Sequence, residues 1–99
     1  MSWLLDLTFE WDENKNKANI RKHGISFNEA ITVFADENAL LTVDEDHSRQ
    51  EERFIILGLS QNTRLLVVCH CYRESDAVIR IISARKATRQ EASYYGGVI

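Results

Sequence analysis

Basic residues lie in and close behind an apolar run in the last third of the chain, where they can bind an anion. Arg80 stands inside the β-branched run Val78–Ile82, and Arg85 and Lys86 follow it. A strand that enters a core does not need a guanidinium in its middle, because a buried charge is destabilising unless it is paired. Arginine stays charged and presents a planar fork of N–H donors that matches phosphate oxygens. The sequence therefore predicts a phosphate-binding surface here, with Arg53 as a further contributor.

Two features of this stretch leave its arrangement open. Arg80 can instead form a structural ion pair with a carboxylate on a neighbouring strand, such as Glu52 or Asp76. Side chains alternate between the two faces of a strand, so Arg80 and Arg85 fall on opposite faces unless a bulge near Ser83 changes the register. A phosphate site shared by both arginines therefore requires a bulge or a twist at the strand end.

One reaction that a phosphate-binding surface can serve is the cleavage of RNA. This reaction needs a group that takes the 2′-hydroxyl proton, charge that stabilises the phosphorane, and an acid for the 5′-oxygen. The arginines suit the second role. His23, Lys22 and Glu52 are candidates for proton transfer or additional charge, and His70 is a further candidate. Two simpler interpretations stand beside these assignments, because a histidine at a helix C-terminus is often only a cap and a histidine in an apolar strand is usually packed.

Other basic and aromatic side chains are candidates for contacts with the nucleic acid, since cations bind phosphates and indole rings stack on bases. These candidates are Lys86, Arg64, Lys15 and Trp11. The alternative for Trp11 is a place at the edge of the core, and Lys15 belongs to a helix whose many charges predict a solvated surface.

Two clusters have the residue types of metal ligands but not the spacing. Asp44, Asp46, His47, Glu51 and Glu52 form an acidic loop that fits no known ion-binding loop, and Cys69-His70-Cys71 lacks the four ligands and knuckle spacing of a structural zinc site. We expect neither a metal nor a cofactor.

The first half of the chain contains signals for one strand and two helices. Residues 8–11 alternate as a short strand, and Asp12 and Gly24 are placed to cap a polar helix over Glu13–His23. Ser26 and Glu29 form a capping box for a second helix, whose apolar stripe is predicted to pack on the core. The stripe consists of Phe27, Ala30, Ile31 and Phe34.

The second half predicts four strands and a closing helix. The strands are expected over residues 39–43, 53–59, 65–72 and 78–84, and their short polar connections between residues 59 and 78 favour β-hairpins. Thr88 and Glu91 form another capping box that opens a short helix to about residue 95. The order β-α-α-β-β-β-β-α predicts an α+β, two-layer fold, an antiparallel meander packed by two N-terminal helices and a short C-terminal helix.

The whole chain, residues 1–99, has the length of one domain. Its net charge is −3, but residues 1–62 carry a balance of −6 and residues 63–99 a balance of +3. The cations therefore gather around Arg80 and Arg85 while the rest of the surface stays acidic. We expect no signal peptide, no membrane span and a cytoplasmic location.

Several segments in order resemble the BrnT family, ribonuclease toxins of bacterial type II toxin–antitoxin systems with a RelE-like fold. The resemblance runs from residue 8 to residue 95, and its most specific pieces are Lys22-His23-Gly24, Glu51-Glu52-Arg53 and Ile82-Ser83-Ala84-Arg85-Lys86-Ala87. The other segments that carry it are Phe9–Lys15, Arg21–Phe27, Ala30–Phe34, Asp46–Ser48 and Ile79–Ile81.

The resemblance implies a metal-independent endoribonuclease toxin that arrests growth by cleaving RNA. It also implies a partner, a BrnA-like antitoxin whose ribbon-helix-helix domain binds operator DNA, so that the toxin meets DNA only indirectly. The polar positions that match the family are Lys22, His23, Glu52, Arg53, Arg80 and Arg85. Two alternatives stay open: a catalytically inactive relative that serves as an antitoxin-binding and corepressor module, and a metal-dependent nuclease that uses the acidic loop.

Overall fold

A computed structural model describes residues 7–47, 51–75 and 77–96. Ser48 and Asp76, both named above, lie outside the described residues, as do residues 1–6 and 97–99. The strands are β1 (Thr8–Glu10), β2 (Leu40–Val43), β3 (Phe54–Leu59), β4 (Leu65–Arg73) and β5 (Val78–Lys86). The helices are α1 (Glu13–His23), α2 (Phe27–Ala30), which continues as a 3-10 helix over Ile31–Ala35, and α3 (Arg89–Ala92); Glu45–His47 form a separate 3-10 turn.

One five-stranded sheet has the order β1-β5-β4-β3-β2. The predicted antiparallel meander is confirmed from β2 to β5. The prediction of a wholly antiparallel sheet is wrong at one edge, because β1 pairs parallel to β5 and makes the sheet mixed. No hairpin fixes the direction of this three-residue strand. Its direction is set by the helical segment that connects it to the rest of the sheet. The alternation of apolar and polar residues in the sequence carries no information about this direction.

The helices α1 and α2 and the 3-10 helix cover one face of the sheet and bury a core there. Trp11 and Phe9 border this core, and Gly58 faces it because a Cβ atom at this position would meet Val33 and Ala39 at 3.1–3.2 Å. The core itself joins apolar residues of the helical segment to apolar residues of β3, β4 and β5, namely Ile25, Phe27, Ala30, Val33 and Phe34 with Ile56, Leu66, Val68, Ile79, Ile81 and Ala84.

The second helix changes its winding after one turn. Ser26 caps it as predicted, with its hydroxyl accepting from the backbone N–H of Glu29 at 3.1 Å. The chain tightens to a 3-10 helix at Ile31, which brings Val33 into the core with no exposed surface and leaves Ile31 only partly buried. The predicted stripe is therefore correct at Phe27, Ala30 and Phe34, whereas the tighter winding of the 3-10 helix buries Val33 in place of Ile31.

Asparagines, and not apolar residues, dock α1. Asn16 accepts a hydrogen bond from the backbone N–H of Phe27 at 2.8 Å. Asn19 accepts from the N–H of Ala84 at 3.1 Å and donates to the carbonyl oxygens of Ala84 and Ile25 at 2.7 and 2.8 Å. Because β1 pairs with β5 only as far as Arg80, Asn19 takes the place of a neighbouring strand at the outer edge of β5.

A β-bulge interrupts β5 at Ile82. Cys69 of β4 is opposite Ser83, and the next residue, His70, is opposite Ile81, so Ile82 is extra in the ladder. Ile81 and Ala84 both face the helices, although they are three residues apart. The bulge therefore changes which face odd- and even-numbered residues of β5 occupy.

His70 lies fully buried on the helix-covered face, packed as the sequence alternative proposed. Its ring contacts those of Phe34, Phe54 and Tyr72 at centroid distances of 4.9, 6.1 and 5.4 Å. Its Nε2 atom is buried without a hydrogen-bond partner among the described residues. Burial lowers the pKa of His70 from 6.5 to about 4, so the ring is neutral in the folded protein at neutral pH.

This buried ring makes folding stability depend on pH in a defined window. Below pH 6.5 the unfolded chain binds a proton at His70 that the folded protein does not bind until about pH 4, so the free energy of unfolding falls as pH falls through this interval. The loss amounts to about 3 kcal/mol when the pH reaches 4. Urea denaturation between pH 7.5 and 4.5 measures it. In His70→Phe this slope is expected to flatten, and an unchanged slope in that variant would contradict the assignment.

Candidate functional site

The bulge places Arg80 and Arg85 on the same side of the sheet. Arg80 follows Ile79 and precedes Ile81, which both face the helices, and Arg85 follows Ala84, which does so too. Both guanidinium side chains therefore point to the face opposite the helices. We call this side the arginine face, because Arg53, Arg73, Arg80 and Arg85 all lie on it. The sequence predicted that the two arginines share a surface only if a bulge lies near Ser83, and the bulge at Ile82 meets this condition.

A cleft of about 350 Å³ opens on this face beside the 3-10 turn at Glu45–His47. It brings together two of the predicted site residues, Arg53 and Arg85, from the start of β3 and the end of β5. Its polar lining also includes residues that the sequence did not assign to the site, and its floor is apolar. The further lining residues are Asp44, Asp46, His47, Cys69 and Ser83, with Ile55, Val67 and Ile82.

Arg85 is held by a carboxylate of the last helix. Its Nη1 and Nη2 atoms donate to the two carboxylate oxygens of Glu91 at 2.7 and 2.8 Å. The Arg85 guanidinium holds the pKa of Glu91 at about 2, so this carboxylate is ionised at neutral pH. Glu91 also accepts from the backbone N–H of Thr88 in the predicted capping box, which is confirmed. These bonds leave the Nε edge of the Arg85 guanidinium for another anion, and its side chain is 40% exposed.

Arg80 lies on the arginine face outside the lining of the cleft. Its Nη1 atom donates to Glu10 Oε2 at 2.8 Å, across the parallel pair of β1 and β5. The same oxygen of Glu10 lies 3.9 Å from Nε of Arg73, which also approaches Glu51 at 4.0 Å. The structure thus favours the ion-pair alternative for Arg80, with Glu10 as its partner in place of Glu52, whereas Asp76 lies outside the described residues.

A hydrogen-bonded aspartate–histidine pair forms one wall of the cleft. His47 Nδ1 lies 3.0 Å from Asp44 Oδ2, and Asp44 is anchored by its backbone N–H, which donates to the carbonyl of Arg53 at 2.8 Å. Both residues were read in the sequence as part of an acidic loop with the wrong spacing for a metal. The sequence signal for this pair is the spacing of three residues between Asp44 and His47, because one helical turn brings such side chains together.

Cys69 contributes a protonated thiol to the cleft. Burial raises its pKa to about 11, and the negative charge of Asp44 acts in the same direction. The thiol donates weakly to Asp44 Oδ2, with a sulfur-to-oxygen distance of 3.8 Å. Because the thiolate is the nucleophilic form, Cys69 is not prepared for nucleophilic attack at neutral pH.

The structure does not bring His23 or Lys22 to the cleft. Both lie in the last turn of α1, which packs with the helix layer and ends at Gly24 in the left-handed conformation with φ of 72°. Lys15 is exposed on the same helix. Trp11 packs its ring edge-on against Phe27 at a centroid distance of 6.1 Å, which is the core-edge alternative.

Arg64 forms a buried network in the helix layer. Its Nε atom donates to Glu29 Oε2 at 2.9 Å, its Nη2 atom donates to Glu29 Oε1, and Ser60 donates to Glu29 Oε2 at 2.7 Å. The Arg64 guanidinium holds the pKa of Glu29 at about 2. Glu29 therefore serves this pair and not the reciprocal bond of its predicted capping box. This geometry favours a structural role for Arg64 over contact with a nucleic acid.

The remaining predicted residues occupy the two ends of the sheet. Glu52 is exposed and lines a separate cleft of about 390 Å³ with Glu51, Phe54 and Tyr72, at the start of β3. Lys86 is exposed at the end of β5, next to Arg85. Of the predicted site, Arg53 and Arg85 share the cleft, Lys86 borders it in the chain, and Glu52 lies elsewhere.

Two classes of feature are absent from the described ranges 7–47, 51–75 and 77–96. No group of three or more histidine, cysteine, aspartate or glutamate side chains within them is arranged to hold a metal ion. None of the helices found there has the length and apolar character needed to cross a membrane.

Comparison with known proteins identifies a family and a structural neighbour. A family model described as "Ribonuclease toxin, BrnT, of type II toxin-antitoxin system" matches residues 11–91. The crystal structure of the ribonuclease toxin BrnT of Brucella abortus superimposes with a TM-score of 0.63 at 22% sequence identity, over 84% of this chain and 99% of that one. A search of curated proteins found no match.

Proposed function

The chain belongs to the BrnT family of ribonuclease toxins of type II toxin–antitoxin systems, and from this we propose that it is a metal-independent endoribonuclease whose cleft on the arginine face binds the scissile phosphate. Cleavage proceeds by attack of a ribose 2′-hydroxyl on the adjacent phosphodiester. This reaction builds negative charge on the phosphorus-bound oxygens, and fixed cations that meet this charge lower the barrier.

The convergence of Arg53 and Arg85 on one cleft carries this proposal. They come from strands separated by β4, and each extends toward the same 350 Å³ space. Arginine forks bind phosphate oxygens in pairs, and a cleft partly shielded from water strengthens such contacts. Glu91 fixes the orientation of Arg85 through two bonds, so the guanidinium loses less conformational freedom when the phosphate binds.

The other basic residues take supporting roles in the proposal. Arg80 is held by Glu10, which balances its charge, and it lies on the arginine face without entering the cleft. Lys86 is the nearest exposed cation to Arg85 along the chain and is proposed to contact the flanking RNA. Lys15, Lys22 and His23 lie on α1, and a contribution from them would require RNA that wraps around the edge of β5.

The partner proposed for this toxin is a BrnA-like antitoxin with a ribbon-helix-helix domain. The family implies an antitoxin, and an acidic segment suits the partly exposed guanidinium of Arg85. In this scheme the toxin meets operator DNA only through the antitoxin, and it acts on RNA in the cytoplasm. A RelE-like classification of the mixed sheet and its helices is part of the same proposal.

Incubation of the purified chain with a defined single-stranded RNA tests the activity. We expect fragments that end in a 2′,3′-cyclic phosphate and begin with a 5′-hydroxyl, in equal yield with and without EDTA. Loss of cleavage in EDTA, restored by added Mg²⁺ or Zn²⁺, would instead indicate the metal-dependent nuclease. The complete absence of cleavage by folded protein would favour the inactive antitoxin-binding module, and binding to a ribbon-helix-helix antitoxin would then be the next measurement.

A further inference from the structure

The Asp44–His47 pair on the wall of the cleft has no role in the phosphate site described so far. The imidazole of His47 is 66% exposed, whereas the carboxylate of Asp44 is 11% exposed. A buried carboxylate that holds an accessible imidazole is the arrangement by which proteins orient a histidine for proton transfer.

Asp44 is itself held in place from two sides. Its backbone N–H donates to the carbonyl of Arg53 at 2.8 Å, which extends the pairing of β2 and β3 by one residue. Its carboxylate accepts from the Cys69 thiol of β4. The carboxylate therefore has a fixed position relative to three strands, and the imidazole bound to it inherits that position.

The contact to Asp44 selects one tautomer of the imidazole. A carboxylate accepts, so Nδ1 of His47 carries the proton and donates it across the 3.0 Å contact. In a neutral ring Nε2 is then the free base. It lies on the side of the ring away from Asp44, and the ring lines the same cleft as Arg53, Arg85 and Ser83.

We infer that His47 is the general base of the RNA cleavage and that Asp44 is the residue that positions it. This inference rests on the proposed function. In the reaction, Nε2 of His47 takes the proton of the 2′-hydroxyl while the 2′-oxygen forms a bond to phosphorus. The bond from phosphorus to the 5′-oxygen breaks, and this oxygen takes a proton from water. The products are a 2′,3′-cyclic phosphate and a 5′-hydroxyl, and His47 returns its proton to solvent.

The other titratable groups that face the cleft do not fit this role equally well. Cys69 is a neutral thiol at neutral pH, and Arg53 and Arg85 are cations that have no proton-accepting form there. Asp46 is a carboxylate in the same turn as His47 and is a weak base by comparison. The titratable and charged groups that line the cleft with His47 are Asp44, Asp46, Arg53, Cys69 and Arg85.

Two variants, His47→Ala and Asp44→Asn, test the inference. Their RNA cleavage is compared with that of the folded wild-type chain. His47→Ala is expected to lower kcat by roughly 100-fold or more, with little change in KM, since removing a general base affects the chemical step and not the binding of phosphate. The wild-type rate is expected to rise with pH, because only a neutral imidazole accepts a proton, and to lose that rise in His47→Ala. Asp44→Asn is expected to show a smaller loss of kcat and a displaced pH profile, because an amide does not hold the imidazole in the same tautomer.

Glu45→Gln is the matched control, because it removes one negative charge from the same exposed turn and Glu45 does not line the cleft. It is expected to keep the wild-type kcat and pH profile. Wild-type kcat and pH profile in His47→Ala would overturn the inference while leaving the ribonuclease assignment intact. A loss in Glu45→Gln or His23→Ala as large as that in His47→Ala would also overturn it. Absence of cleavage by the folded wild-type chain, in contrast, would refute the proposed function and with it the inference.

Discussion

Arg85→Ala is expected to reduce RNA cleavage by roughly 10²–10³-fold, the size of the loss when one preorganised donor to a developing oxyanion is removed. Arg85 lines the cleft, and Glu91 aligns its guanidinium through two bonds of 2.7 and 2.8 Å. Initial rates of cleavage of a fluorescent RNA, with circular dichroism to confirm folding, measure the effect. Arg85→Lys is expected to recover only part of the rate, because an ammonium supplies charge without the planar fork.

Arg89→Ala is the matched control for this change. Arg89 is an exposed arginine in the first turn of α3, four residues from Arg85, so its loss changes the net charge equally. We expect less than a twofold change in rate for Arg89→Ala at moderate ionic strength, where exposed charges are screened. Equal losses for the two variants would mean that Arg85 acts only through overall charge, and the phosphate site would have to be placed elsewhere.

The chemistry of the arginine residues could be predicted from the sequence, and their final arrangement could be predicted only in part. A guanidinium inside a β-branched run indicated a charged surface at Arg80. Arg85 is an odd number of residues away, which indicated that a bulge was needed to place both arginines on one face. The partner of Arg80 could not be found this way, since Glu10 lies 70 residues away and reaches it only because β1 runs parallel to β5. Alternation within a strand carries no information about that neighbour.

The site residues His47, Asp44 and Ser83 show a second limit. His47 was visible in the sequence only as one member of an acidic loop that has the residue types of metal ligands. Only the fold shows that the turn at Glu45–His47 stands beside the end of β5. The converse happened for Arg64, which the sequence offered as a contact for RNA because it is basic, whereas its guanidinium reaches back to the buried Glu29.

Asn19→Ala is expected to lower the free energy of unfolding by about 3 kcal/mol, the largest stability effect among the predictions for single polar side chains. The amide bonds with the N–H and C=O of Ala84 and with the C=O of Ile25, and Asn19 is only 7% exposed. Alanine removes all three bonds and leaves buried backbone groups unsatisfied, each at a cost of about 1–3 kcal/mol where water cannot replace the amide. Such a loss is a large share of the stability of a domain of this size.

Asn14→Ala is the matched control for Asn19→Ala, since Asn14 is an exposed asparagine one and a half turns earlier in α1. Its substitution is expected to change the free energy of unfolding by no more than about 0.5 kcal/mol. Urea denaturation of the two variants at pH 7.5 provides the comparison. If Asn19→Ala unfolds at the same urea concentration as Asn14→Ala, the amide does not hold α1 to β5.

The bulge at Ile82 reverses the alternation of side chains along β5, and a change in length by one residue would undo this reversal. In a regular strand, residues separated by an odd number of positions face opposite ways, and Arg80 and Arg85 share a face only because one residue between them is not counted in the ladder. Deletion or insertion of a single residue in this interval would turn one guanidinium, or the apolar residues that alternate with it, to the wrong side. The number of residues from Arg80 to Arg85 is therefore fixed by the geometry of both faces.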